Sequence, residues 1–309
     1  MSNARTTARQ LFHVAALGRP LHLLGGLLFS TLGVAMAAFR GYPINWSLAL
    51  RGLLVIWAMQ LMTHYSNEYF DLEADRANTT PTNWSGGSRV LVRGQVAPRV
   101  ALQIALGMGL IAILAGSLLT LSSPAPWQTG LLLVVALGMA WSYSGPPLRL
   151  NWHAQGELTG ALLVPGMTTL VGFQLQAGSI TRLPLLAIVP LCCFQCAMLI
   201  AVNFPDAEGD RVAGKTTLVV RYGGQRAAWL YLATLFLAYA LLPLLVVAGL
   251  PWRVGALLFL GTPIAAWLGW RVWRGGWHDP AAWDGLGFWS IGLLMGSALV
   301  ELVGFVGWN

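Results

Sequence analysis

VALQIALGMGLIAILAGSLLTL, residues 100–121, carries no charged side chain. As a helix it would be about 33 Å long, enough to cross the hydrocarbon core of a bilayer. Eight further apolar runs resemble it: Leu21–Phe39, Ala49–Ser66, Trp127–Tyr143, Leu158–Leu175, Leu183–Phe204, Ala227–Leu250, Val254–Trp270 and Phe288–Trp308. Inside lipid each backbone polar group needs a partner within the protein, so each run is expected to be a helix. Pro165 and Pro190 lie within runs, where membrane helices tolerate them as kinks. The expected fold is all-α: a polytopic membrane protein of nine transmembrane helices, forming one domain over residues 1–309.

Composition agrees. Hydrophobic residues make up 56% of the chain and charged residues 9%, against about 25% charged in soluble domains. The chain has 18 Lys and Arg against 11 Asp and Glu. The basic residues are spread between apolar runs instead of forming a patch, so no nucleic-acid partner is expected. They read better as topology signals. With the amino terminus inside the cell, fourteen lie on cytoplasmic segments and four (Arg40, Arg51, Arg182 and Arg253) on the other side, as the positive-inside rule requires. The expectation is a multi-pass protein of the cell (inner) membrane. Trp46, Trp127, Trp141, Trp252, Trp270 and Trp308 sit near run ends, where interfacial anchors belong. Cys192, Cys193 and Cys196 fall inside an apolar run and read as buried thiols with no disulfide framework. Met1 to Arg19 lacks a continuous apolar core before a cleavage site, so the run from Leu21 is read as a retained span.

The chemistry lies in the acidic residues. Seven of the eleven fall in two windows: Glu68, Asp71, Glu73 and Asp75, then Asp206, Glu208 and Asp210. Both windows follow spans at the expected inner face. Asn67, Asp71 and Asp75 are spaced four apart and share one helical face. Asn203-Phe-Pro-Asp206-Ala-Glu-Gly-Asp210 repeats the idea, an amide followed by two carboxylates four apart. Like charges at that spacing repel, and a divalent cation removes the penalty. Oxygen-only donors of this kind suit Mg²⁺, which completes its shell with phosphate and water. One such pair would read as a solvated helix end, but two on the same side point to a shared cavity.

Basic, glycine-containing segments follow each window: Gly86-Gly87-Ser88-Arg89 with Arg93 and Gly94, then Gly214-Lys215-Thr216-Thr217 with Arg211. Glycine permits close backbone approach to phosphate, and Arg and Lys add charge-assisted bonds. Tyr143 and Arg149 flank a third inner loop, which reads equally as a rigid Pro turn with a membrane-surface Arg or as a segment that reaches the same cavity. His64 reads as a packing histidine in preference to a substrate contact. Glu301, in the last span, is costly in lipid and so a functional candidate by default.

These segments resemble the UbiA-type intramembrane aromatic prenyltransferases, through Asn67, Asp71 and Asp75 in N-x-x-x-D-x-x-x-D and Asp206 and Asp210 in the second D-x-x-x-D. The resemblance spans nearly the whole chain and implies nine helices around a central cavity. Gly86-Gly87-Ser88-Arg89, Asn203-Phe-Pro-Asp206 and Gly214-Lys215-Thr216-Thr217-Leu218 look most like the branch acting on 1,4-dihydroxy-2-naphthoate in menaquinone synthesis. The implied roles follow. Asn67, Asp71 and Asp75 would hold one Mg²⁺, and Asp206 and Asp210 a second. Arg89, Arg93, Arg211 and Lys215 would bind the diphosphate of a polyprenyl diphosphate, with Asn203 beside them. Tyr143 and Arg149 would receive the aromatic acceptor, Arg149 pairing its carboxylate. The lipid bilayer is the remaining expected partner. A transferase of the same superfamily with another acceptor (4-hydroxybenzoate, haem, a chlorophyll precursor or a lipid) is the near alternative. A cation-coupled transporter is the distant one, because transporters hold coupling ions near the midplane and these carboxylates sit at span ends.

Overall fold

A computed structural model describes residues 2–307, with side chains from Gln10 onward. The side chains of Arg5 and Arg9 and the whole of Trp308, counted above toward orientation and anchoring, lie outside the described residues. Among the described residues, eight helices are long and apolar enough to cross a membrane. They are span 1 (Gln10–Phe39), span 2 (Trp46–Phe70), span 3 (Pro98–Leu121), span 5 (Gly156–Ala177), span 6 (Arg182–Asn203), span 7 (Gly224–Val247), span 8 (Trp252–Trp273) and span 9 (Pro280–Val306). A ninth helix, Pro126–Ser144, packs against spans 2 and 3 and is span 4. The chain is an integral, all-helical membrane protein.

The ends differ from the hydropathy reading where polar residues extend a helix past the lipid. Span 9 begins at Pro280, where Asp279 Oδ1 accepts from Ala281 N at 3.0 Å. Its first turns carry Asp284, which accepts three bonds from Asn83 and so pins the long loop between spans 2 and 3. Span 5 is interrupted by a π-helical stretch, Leu162–Met167, around Pro165. Proline has no N–H to give the helix, and a wider turn absorbs the fault.

The described residues form three apolar cores, the smallest of them around Leu17, Tyr65 and Ala101 at one end of spans 1 to 3. Of the larger two, one joins residues of spans 2 to 5 around Ile56, Ala112, Leu133 and Val171. The other joins spans 1 and 6 to 9 around Phe29, Phe194, Tyr231 and Leu294. Span 1 meets span 5 at bare backbone: a Cβ on Gly33 would strike Thr169 O, and one on Gly172 would strike Ser30 O. Close approach of this kind drives helix association where lipid removes the hydrophobic incentive. Trp46, Trp127, Trp252 and Trp270 are exposed near helix ends, and the three cysteines are free.

Two short helices outside the bundle position the acidic windows. Leu72–Ala77 follows span 2 and Ala207–Ala213 follows span 6, and the two pack on each other. The contact depends on Gly209, where a Cβ would lie 2.7 Å from Asn78 N and 2.9 Å from Ala74 O.

Candidate active site

The four-residue spacing of the first window survives the break between span 2 and the helix that follows it. Asp71 N donates to Asn67 O and Asp75 N to Asp71 O, both at 2.9 Å. The second window does the same, with Asp210 N donating to Asp206 O at 2.8 Å. Both windows therefore present their carboxylates on one face, and docking of the two short helices turns those faces toward each other.

Asp71 is the hub. Its Oδ2 accepts from Asn67 Nδ2 at 2.8 Å, Asn151 Nδ2 at 2.9 Å and Lys215 Nζ at 3.0 Å, and its Oδ1 from Trp152 Nε1 at 2.8 Å. Lys215 also lies 3.3 Å from Asp210 Oδ1, so one ammonium bridges the two windows. Burial alone would lower the Lys215 ammonium, but Asp71, Asp210 and Asp206 together hold it well above the usual lysine range. Across the site, Asp206 Oδ1 accepts from Asn78 Nδ2 at 2.7 Å and Oδ2 from Gly86 N at 3.2 Å. Gly86 has φ +73°, a left-handed turn that aims its N–H at the carboxylate.

Above this layer is a cavity of about 530 Å³. Asn67, Asp71, Asp75, Asn203, Asp206 and Lys215 line its polar end, with Tyr143 beside them, while Leu24, Phe29, Leu199, Leu294 and Met295 line much of the rest. Spans 1 and 9 both contribute to the apolar wall. Arg19, which the sequence offers only as an orienting charge, also lines the cavity. Its Nη2 lies 2.5 Å from Glu68 Oε1 and 3.3 Å from Asn67 Oδ1. Glu68 in turn accepts from Ser88 N at 2.8 Å and Ser88 Oγ at 2.6 Å, tying the glycine loop to span 2.

Other expected site residues lie outside that lining. Asp210 is buried beneath it, against Lys215. Arg89 donates to Asp75 O. Arg93 is exposed, and Arg211 pairs with Glu208 on the surface at 2.7 Å. The Arg149 guanidinium sits 3.7 Å over the Trp152 ring and bonds Phe70 O at 3.4 Å, behind Asp71. Asn203, by contrast, is in the lining and donates its Nδ2 to Glu157 Oε1, which also accepts from Leu218 N. Glu301 is fully buried in span 9, away from the cavity, and neither carboxylate oxygen has a partner among the described residues.

The donors fit a hard cation. Among the described residues no three His, Cys, Asp or Glu side chains form a ready-made cage, and Mg²⁺ does not need one because it keeps waters and takes phosphate oxygens. Charge is in excess: Glu68, Asp71, Asp75, Asp206 and Asp210 gather around Arg19 and Lys215. The Asp75 carboxylate faces the cavity with no hydrogen-bond partner among the described residues, and Asp210 Oδ2 is buried without one. Burial, then Asp71 and Glu68, raise the Asp75 carboxyl well above the usual range. Burial, opposed by Lys215, pushes Asp210 up to about 7. A cation at the cavity face would relieve both groups.

Residues 27–292 match the UbiA prenyltransferase family. The chain belongs to that family. As a UbiA prenyltransferase it is 29% identical over 252 residues to the 1,4-dihydroxy-2-naphthoate octaprenyltransferase of Bacillus subtilis, covering 81% of this chain and 79% of that one. It is 30% identical over 241 residues to the enzyme of the same name from Mycobacterium tuberculosis, covering 78% and 80%. A homogentisate geranylgeranyltransferase of Hordeum vulgare is 27% identical over 71% of this chain and 54% of its own length. Among solved structures, a UbiA homologue from Archaeoglobus fulgidus bound to DMAPP and Mg²⁺ superposes with a TM-score of 0.66 at 17% identity, covering 95% of this chain and 99% of that one. That likeness is one of fold.

Proposed function

We propose that this prenyltransferase moves a polyprenyl group from its diphosphate to 1,4-dihydroxy-2-naphthoate, releasing diphosphate and CO₂. The observation that carries the reading is the meeting of two carboxylate-bearing helix ends over the polar end of a cavity whose walls are otherwise largely apolar. That asymmetry matches a substrate with an anionic head and a hydrocarbon tail. The naphthoate octaprenyltransferases among the relatives supply the acceptor.

In this reading Asp75 and Asp206, supported by Asn67 and Asp71, hold Mg²⁺. When bound, the ion neutralises the diphosphate and favours its departure. Lys215 and Arg19 add fixed positive charge at the same end. Gly86 and Gly87 line the cavity there, and their missing Cβ atoms make room for Asn78 and for the Asp75 carboxylate. Leu24, Phe29, Leu294 and Met295 receive the first isoprene units, and the tail runs between spans 1 and 9 toward lipid. The apolar wall keeps water from the allylic carbon until the aromatic ring attacks. The inner loops, with the amino terminus, face the cytoplasm of a cell whose inner membrane holds the nine spans.

The test is an assay of purified protein with Mg²⁺ and several polyprenyl diphosphates, each offered with dihydroxynaphthoate or 4-hydroxybenzoate. Prenylation of dihydroxynaphthoate with release of CO₂ is expected. Clear preference for hydroxybenzoate would overturn the acceptor assignment.

A further inference from the structure

Gln60, His64, Asn67 and Asp71 follow one another at intervals of four, three and four along span 2 and its end, so they form one face, and all four line the main cavity. The upper two also belong to a second space. A narrower apolar pocket of about 80 Å³, walled by Ile56, Met59, Leu133, Ala136, Leu163 and Val171, shares Gln60, His64 and Val164 with the main cavity. These residues therefore mark a neck between the diphosphate end and a largely apolar recess.

Both polar groups in the neck have spare hydrogen-bonding capacity. His64 Nδ1 lies 2.8 Å from Gly18 O. A carbonyl only accepts, so Nδ1 carries the proton and the neutral ring keeps its lone pair on Nε2. Among the described residues Nε2 has no hydrogen-bond partner, and His22 packs edge-on against the ring at 5.7 Å, fixing its plane. Gln60 Oε1 is buried without a partner against Gly26, and Gln60 Nε2 has none among the described residues. Side chains four apart on a helix lie about 5–6 Å from each other, close to the separation of para oxygens on one six-membered ring. His64 is about 10 Å along the helix from Asp71, a distance spanned by a metal-bound diphosphate and its first carbon.

We infer that Gln60 and His64 bind the two hydroxyls of the acceptor, that the fused second ring enters the apolar recess, and that His64 Nε2 is the general base of the transfer. The inference rests on the naphthoate reading above. The step balances without another reagent. His64 takes the proton of the hydroxyl next to the carboxylate-bearing carbon. The O–H electron pair becomes the carbonyl as that ring carbon bonds to the prenyl carbon, and the breaking C–O pair leaves with diphosphate. The resulting β-keto carboxylate loses CO₂, its C–C pair passing to the enolate. The imidazolium then returns its proton to the enolate oxygen, regenerating neutral His64.

Two substitutions separate base from scaffold. H64N keeps a donor near Nδ1 for Gly18 O and removes the base, whereas H64Q keeps a polar group near Nε2 and loses the Gly18 bond. The inference predicts that H64N lowers kcat by about 100-fold or more while the KM for polyprenyl diphosphate stays within about twofold, since the phosphate end is untouched. A136L, which fills the recess, should raise acceptor KM and leave the prenyl-diphosphate KM unchanged. Near-normal kcat in H64N, or equal loss of both KM values in A136L, would overturn it. If the wild type prefers another hydroxyarene, the naphthoate reading and the recess fail together. H64N measured on that acceptor then still decides whether His64 is the base.

Discussion

Lys215 Nζ lies 3.0 Å from Asp71 Oδ2, joining residues 144 apart in sequence. The same ammonium reaches Asp210, so it is the internal cation that lets the two acidic windows approach each other. Lys215→Met would leave both carboxylates buried and uncompensated. Removing one partner of a buried pair costs about 3–5 kcal/mol. Thermal unfolding in detergent should show a fall of roughly 10 °C, partly reversed by Mg²⁺. An unchanged midpoint would contradict this role.

The metal response should depend on pH. Asp210 is raised to about 7 and Asp75 well above its usual value. A carboxyl raised in the fold favours the folded state at low pH, where it is protonated, and that contribution is lost as pH rises through the folded-state value. The metal-free protein should therefore lose stability toward pH 8, just where the ionised carboxylates bind Mg²⁺ best. The difference in unfolding midpoint between Mg²⁺ and EDTA samples should be larger at pH 8 than at pH 6. A difference that shrinks with pH would count against a cation bound beside these carboxylates.

Gly209 sets the distance between the two windows. A methyl there would meet backbone atoms of Asn78 and Ala74, and overpacking of this kind costs about 1–3 kcal/mol. G209A should still insert and elute as a folded species on size-exclusion chromatography, with turnover reduced at least about tenfold by misalignment of the site. Wild-type turnover would show that the helix contact does not set the site geometry.

The bundle was legible because apolar length is a local property: residues 100–121 announce a span without reference to any neighbour. The acidic windows were legible for the same reason, since a four-residue spacing is local in sequence and survives the helix breaks at Asp71 and Asp206. What joins them was not. The Asn78–Asp206 bond spans 128 residues and the Lys215–Asp71 bond 144, and no local pattern encodes such pairings. Arg19 reads from the sequence only as one of the fourteen orienting charges, because its partner Glu68 is 49 residues away. Arg149 looked free to meet an acceptor, but Trp152 lies three residues on and takes its guanidinium. Arg93 and Arg211 follow the acidic windows in sequence, which points to phosphate contact, but the fold leaves Arg93 exposed and pairs Arg211 with Glu208 at the surface. His64 read as a packing residue, yet its ring does two things: one nitrogen is tied to backbone while the residue lines both cavities.

Orientation can be tested separately. Single cysteines at Arg93 and Val212, both exposed, in a protein whose Cys192, Cys193 and Cys196 are replaced by serine, should react with a membrane-impermeant maleimide only from the cytoplasmic side. Labelling of both from the opposite side would invert the topology.

The central claim is that the two acidic windows act on one diphosphate. The most direct measurement is prenyl transfer to dihydroxynaphthoate by purified wild type, Asp71→Ala and Asp206→Ala at saturating Mg²⁺. Each variant should insert normally and lose about 1,000-fold or more in turnover, because a metal clamp with half its donors no longer neutralises the leaving group. Turnover within about tenfold of wild type in either variant would contradict the claim.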